Sequence, residues 1–172
     1  MTTDGKSFMP DLIISIIATF IGGIMALLSG LVLYLIQQDF IRKNYLQAIK
    51  TEIGIKVKHC KTSTKYLQSI KKNLNSHKPA RWQDFGRAPV FHAYLPRIGE
   101  IKPALANDII RFYDLVGKYQ VVGKNVNDSL LELHKMQHEN DARKEFLENS
   151  IKEEIGFLNN LSDLIIDLAG KI

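Results

Sequence analysis

The chain has 172 residues, 45% of them hydrophobic, with a mean hydropathy of −0.08, a formal charge of +5 and one cysteine. This composition excludes a collagen-like or low-complexity chain, and a lone thiol cannot close an internal disulfide. The averages would suit one ordinary soluble domain, but the apolar residues crowd into one end.

The first residues, MTTDGKSFMPD, set Lys6 against Asp4 and Asp11. They lack the basic leader and the small-residue cleavage site of a secretory signal, so residues 1–11 are expected as a short extracytoplasmic tail before an uncleaved anchor. From Leu12 to Ile36 no residue is charged. A helix of that length measures about 38 Å, enough to cross a hydrocarbon layer of about 30 Å with some tilt. Fifteen of its residues are Leu, Ile, Val or Phe, which favours insertion by roughly 5–9 kcal/mol before polar costs. Residues 12–36 are therefore expected to span a membrane once.

The same span carries Ser15, Ala18, Thr19, Gly22, Gly23, Ala26, Ser29 and Gly30. At about 100° per residue these eight share one arc of about 140°, while bulky residues such as Ile17, Ile24 and Leu28 fill the complement. Burying bulk gains little between helices already solvated by acyl chains; close approach across small residues gains dispersion and some hydrogen bonding. With one span per chain, the expected partner is a second copy. The arc exceeds the narrow seam of a dimer and suits a ring, in which Ser15, Thr19 and Ser29 contact neighbours or face a central opening. A plain or dimerising anchor is the simpler alternative.

Arg42, Lys43, Lys50, Lys56, Lys58 and Lys61 follow the span. The positive-inside bias places residues 37–172 in the cytoplasm, where a reduced Cys60 belongs to packing. Apolar residues continue at helical steps through Leu46, Ile49, Ile53, Val57, Cys60, Leu67, Ile70 and Leu74, so one helix is expected from the span to about Asn75. Pro79, Gly86 and Pro89 then mark a loop. A short helix near Val90–Ile101, bent at Pro96, precedes one starting at Pro103 with the stripe Leu105, Ile109, Phe112, Val116 and Tyr119. Ser129 and Glu132 form a capping box that predicts a new helix at NDSLLE, with a break near Asn140 and the stripe Leu147, Ile151, Ile155, Leu158, Leu161, Ile165 and Leu168 beyond it. No strand alternation occurs. The fold class is all-α: a transmembrane helix continuing into a cytoplasmic bundle of about four helices.

Residues 37–81 hold eleven Lys/Arg and two acids, and residues 128–172 hold five Lys/Arg and ten acids. The basic segment, with Arg42, Lys43 and Lys50 nearest the membrane, suits anionic lipid headgroups or nucleic acid. The blander reading is a topogenic signal and a solvated face that pairs with the acidic last helix.

No phosphate-binding glycine loop or HExxH motif is present. His134 and His138 share a helix face beside Glu139 without a third convincing ligand, so no metal and no cofactor is expected. In GRAPVFH, His92 lies five residues after Arg87. This matches the Arg-x4–6-His spacing of helical ribonucleases of the HEPN superfamily, where the pair handles protons and phosphate charge; Ala88 and Pro89 depart from that pattern. A brace at the start of the helix is the alternative role for Arg87 and His92.

A single amino-terminal span, a helical remainder of this size and the degenerate GRAPVFH together resemble the small membrane accessory proteins of type VI-B CRISPR systems. The resemblance implies a HEPN-like bundle, a homo-oligomeric inner-membrane pore that strengthens RNA-guided antiphage defence by permeabilising or depolarising the membrane, and vestigial HEPN residues. The partners it implies are further copies, membrane lipids and an RNA-guided effector, with direct RNA binding left open. A membrane-anchored ribonuclease and a non-conducting scaffold recruiting a defence partner are the competing functions.

Overall fold

The computed structural model describes residues 8–72, 74, 86, 88–136 and 141–172, the side chains of 8–11 and 141 excepted. They form α1 (Phe8–Lys72), α2 (Pro89–Tyr94), a 3₁₀ helix (Leu95–Glu100), α3 (Pro103–Lys135) and α4 (Asp141–Ala169). Among the described residues there is no strand, and the fold is all-α. The chain divides into two compact units, Met1–Asn44 and Tyr45–Ile172.

The first unit holds one helix long and apolar enough to cross a membrane. All side chains from Leu12 to Ile36 are exposed, including bulky ones such as Phe20, Leu27 and Leu33. A helix apolar around its whole circumference and covered by none of the described residues is not a water-facing amphipathic helix.

The second unit is built on the stripes read from the sequence. Ile49, Ile53, Cys60, Leu67 and Ile70 of α1 meet Ile109, Phe112 and Val116 of α3 and Ile151, Ile155 and Leu158 of α4 in one buried cluster. Stacked rings of Tyr45 and Tyr94, 4.5 Å apart, and of Phe91 and Tyr113, 4.0 Å apart, carry α2 into it. The Thr64 and Tyr119 hydroxyls, 3.2 Å apart, join α1 to α3 across the interior.

Pro96 and Pro103 act as expected, and Pro89, read as part of the loop, opens α2 instead. Pro89 and Pro103 occupy first turns, where a missing N–H costs nothing. Pro96 cannot donate to the carbonyl four residues back, and the chain tightens there from α-helix to 3₁₀. The capping box is a correction. Ser129 lies inside α3, which runs unbroken from Pro103 to Lys135 because its buried stripe continues through Tyr119, Gly123, Val126, Leu130 and Leu133. The break comes instead between Lys135 and Asp141, close to the expected position. The loop with Pro79, together with His138, Glu139 and Asn140, lies outside the described residues.

Candidate functional site

Two places carry the residues singled out above. In the first unit, Ser15, Ala18, Thr19, Gly22, Gly23, Ala26, Ser29 and Gly30 are all exposed. A Cβ added at Gly22, Gly23 or Gly30 would meet no atom within 4 Å. Ser15, Thr19 and Gly23, with Ile16, Phe20, Ile24 and Leu27, line a shallow surface groove of about 530 Å³. Ridges at four-residue spacing flanking a groove are the surface a neighbouring helix packs into. Thr19 Oγ1 donates to the Ser15 carbonyl at 2.8 Å and Ser29 Oγ to the Met25 carbonyl at 2.8 Å. Each donor is therefore satisfied within its own helix, and each oxygen keeps lone pairs for a partner or water.

Just beyond the apolar run, Asp39 accepts from Arg42 at 2.9 Å and Lys43 at 2.7 Å. The hydrogen bond from Lys43 holds the Asp39 carboxyl below the usual range. Two of the three basic residues assigned to the membrane surface are thus shared with an acid. Lys50 is exposed and makes no ion pair among the described residues.

In the second unit a cleft of about 560 Å³ opens between α2 and α3. His92 is at its edge and exposed; Lys56, Phe91, Tyr113, Asp114 and Gln120 are among its lining residues. From α1 the cleft takes Lys56, 4% exposed, and one turn before it Glu52, 8% exposed, lies behind the lining and bonds to it. Glu52 Oε2 accepts the Phe91 backbone N–H at 3.1 Å and the Tyr113 hydroxyl at 2.6 Å. Ala88 at the α2 N-cap offers no side-chain cap, so a carboxylate from another helix serves the free amide of the third residue of α2. Lys56 Nζ donates to the Gly86 carbonyl at 2.9 Å, and Gly86 has φ +69°, a backbone that favours glycine. The segment entering α2 is clipped on both sides. Burial, then the bond to Glu52, raises the Tyr113 hydroxyl well above the ordinary tyrosine range, so it remains a donor.

The His92 ring lies 5.6 Å from that of Phe91. Arg87 lies outside the described residues, so of the Arg-x4-His pair only His92 has a place: an exposed imidazole on a braced turn. Cys60 is fully buried, and desolvation raises its thiol to about 12, which makes it a packing residue. Among the described residues no three His, Cys, Asp or Glu side chains gather as metal ligands, and His134 is exposed on α3.

Glu52, Lys56 and Tyr113 are the polar positions of this cleft region that the apolar stripe passes over. Their signal was present: Glu52 and Lys56 sit between Ile49, Ile53, Val57 and Cys60 on the face that packs, and a charge on a core face must find a partner. No family model, curated protein or solved structure matches this chain.

Proposed function

We propose that this protein is a homo-oligomeric, single-pass membrane protein whose spans pack copy against copy along the small-residue face and enclose a conduit. Residues 37–172 stand on the cytoplasmic side of a bacterial inner membrane. The observation that carries the reading is the uncharged helix from Leu12 to Ile36, bare on every side, with eight small residues in one arc and open space beside Gly22, Gly23 and Gly30. In lipid such a face favours another helix over acyl chains, because backbones approach closely there. Self-satisfied hydroxyls at Thr19 and Ser29 let the same arc border either a neighbour or water.

The role in antiphage defence, as an accessory that depolarises the membrane when an RNA-guided effector is active, rests on the resemblance of the span and GRAPVFH to the type VI-B accessory proteins. The test is the variant Gly22→Leu with Gly30→Leu. Expected are loss of the oligomer in mild detergent and loss of depolarisation, read with a potential-sensitive dye in expressing cells. Full oligomer size in the variant overturns the interface, and wild-type cells that keep their potential when defence is triggered overturn the conduit. A ribonuclease is the second reading, favoured by the exposed His92 beside a cleft; cleavage of labelled RNA that His92→Ala abolishes would establish it.

A further inference from the structure

The second unit carries two helix faces of matching length and opposite charge that no described residue covers. On α1, Lys50, Lys58, Lys61, Lys65 and Lys72 are exposed, and at about 100° per residue they fall within about 80° of the helix surface. The segment they span is about 33 Å long. The one acid of α1 beyond Asp39 is Glu52, which is buried, so no carboxylate on that helix balances them. On α4, Glu145, Glu153, Asp163 and Asp167 are exposed within a similar arc, also along about 33 Å. Beside those acids runs an apolar edge of Phe146, Phe157 and Leu164, which are 74%, 51% and 50% exposed. Ile55, 52% exposed, flanks the lysine face of α1.

A fold in which the basic and acidic segments neutralise one another would place these groups together, and this one does not. Among the described residues none of the five lysines has a carboxylate at ion-pair distance, and of the four acids only Asp167 is paired, to Lys171 on its own helix at 2.7 Å. Each face has a glycine with open space beside it, Gly54 on α1 and Gly156 on α4, where a crossing helix can come close. An acidic face with aromatic anchors is a poor fit to a phosphate polymer or an anionic bilayer, but it complements the lysine face of the same chain.

We infer that the α4 face of one copy docks on the α1 lysine face of the next. The contact uses two different surfaces, so it is head-to-tail and leaves both faces of every copy engaged only when a ring closes. Copies anchored in one membrane with a common orientation are related by rotation about its normal, which favours closure over an open filament. Phe146, Phe157 and Leu164 supply apolar burial, and the lysines and acids set partner and register. The inference rests on the self-association proposed above and assigns the surface outside the lipid that fixes its direction.

The experiment uses the full chain extracted from membranes. One variant carries Lys58→Glu, Lys61→Glu and Lys65→Glu; a second carries Glu145→Lys, Glu153→Lys and Asp163→Lys; a third carries all six changes. All six sites are exposed, and unchanged helicity by circular dichroism controls for folding. Expected at about 0.1 M salt is at least a tenfold fall in the assembled fraction for each three-site variant and recovery in the six-site variant. Wild-type size in both three-site variants overturns the inference. So does a lysine variant that loses binding to anionic vesicles or single-stranded RNA and is not rescued by the six-site combination, because the lysines then serve lipid or nucleic acid. Disassembly of Gly22→Leu with Gly30→Leu alongside intact three-site variants leaves the span contact standing and removes this one.

Discussion

Replacing Glu52 with alanine tests whether a carboxylate from α1 holds the entrance to α2. The substitution strands two donors, the buried Phe91 amide 3.1 Å away and the part-buried Tyr113 hydroxyl 2.6 Å away. Losing the acceptor of a bond to a charged group costs about 1.5–3 kcal/mol when the donor stays buried and less where water reaches it from the cleft, so the two losses together amount to about 2–5 kcal/mol. For a unit of this size that lowers Tm by on the order of 10–20 °C. Thermal unfolding of the full chain in detergent, followed by circular dichroism, reads the loss, and faster hydrogen exchange at the Phe91 amide localises it. Tyr113→Phe removes one donor and leaves the Glu52–Phe91 bond, so it should cost about half as much. The pH dependence has a defined sign. Because the folded state raises the Tyr113 value above that of the unfolded chain, its contribution is complete below the ordinary tyrosine value of 10.0 and declines as the pH rises beyond it. Tyr113→Phe should flatten that alkaline loss. A Glu52→Ala protein with unchanged Tm and a still-protected Phe91 amide would refute the clip.

Other outcomes follow from the same core. Cys60, raised to about 12, leaves a thiolate fraction of about 10⁻⁴ at pH 8, so iodoacetamide should label it only after denaturation; rapid labelling of the folded protein would contradict its burial. Phe112, fully buried in α3, should cost about 3–5 kcal/mol on truncation to alanine, read as a lower unfolding midpoint in denaturant. Burial raises the Glu154 carboxyl and its Oε2 has no hydrogen-bond partner among the described residues, so the group favours folding in its protonated form and that contribution is lost as pH rises through its raised value. Glu154→Gln should therefore gain stability relative to wild type near pH 7 and lose that advantage in acid, measured as the difference in Tm between the two.

Much of the architecture is legible in the sequence because it rests on single-helix periodicity. The stripe from Ile49 to Ile70 and the one from Ile109 to Tyr119 lie on one face each, and both are buried apart from a half-buried Val57. Pro89, Pro96 and Pro103 act through bonds they cannot make, which depends on no distant residue. The capping box misled because Ser129 and Glu132 satisfy a local rule while Val126, Leu130 and Leu133 keep the helix running into the core, and packing outweighs a cap of about 1 kcal/mol. The charge of Glu52 on a packed face signals that it has a partner, but the partner itself is not legible for the opposite reason. Its donors lie 39 and 61 residues away, and only the fold brings α2 and α3 to that carboxylate. Charge asymmetry between the two ends was plain, but whether it is satisfied within one chain depends on which way each helix turns its polar face.

The central claim is that copies meet through the small-residue side of the span. Single cysteines introduced at Gly22, Ala26, Ile24 and Leu28, each in a Cys60→Ala background, can be oxidised in native membranes and sized without reductant. Copies joined through Gly22→Cys and Ala26→Cys, with Ile24→Cys and Leu28→Cys remaining single, is the result this account requires. Equal joining at all four positions, or joining only at the bulky ones, would contradict it.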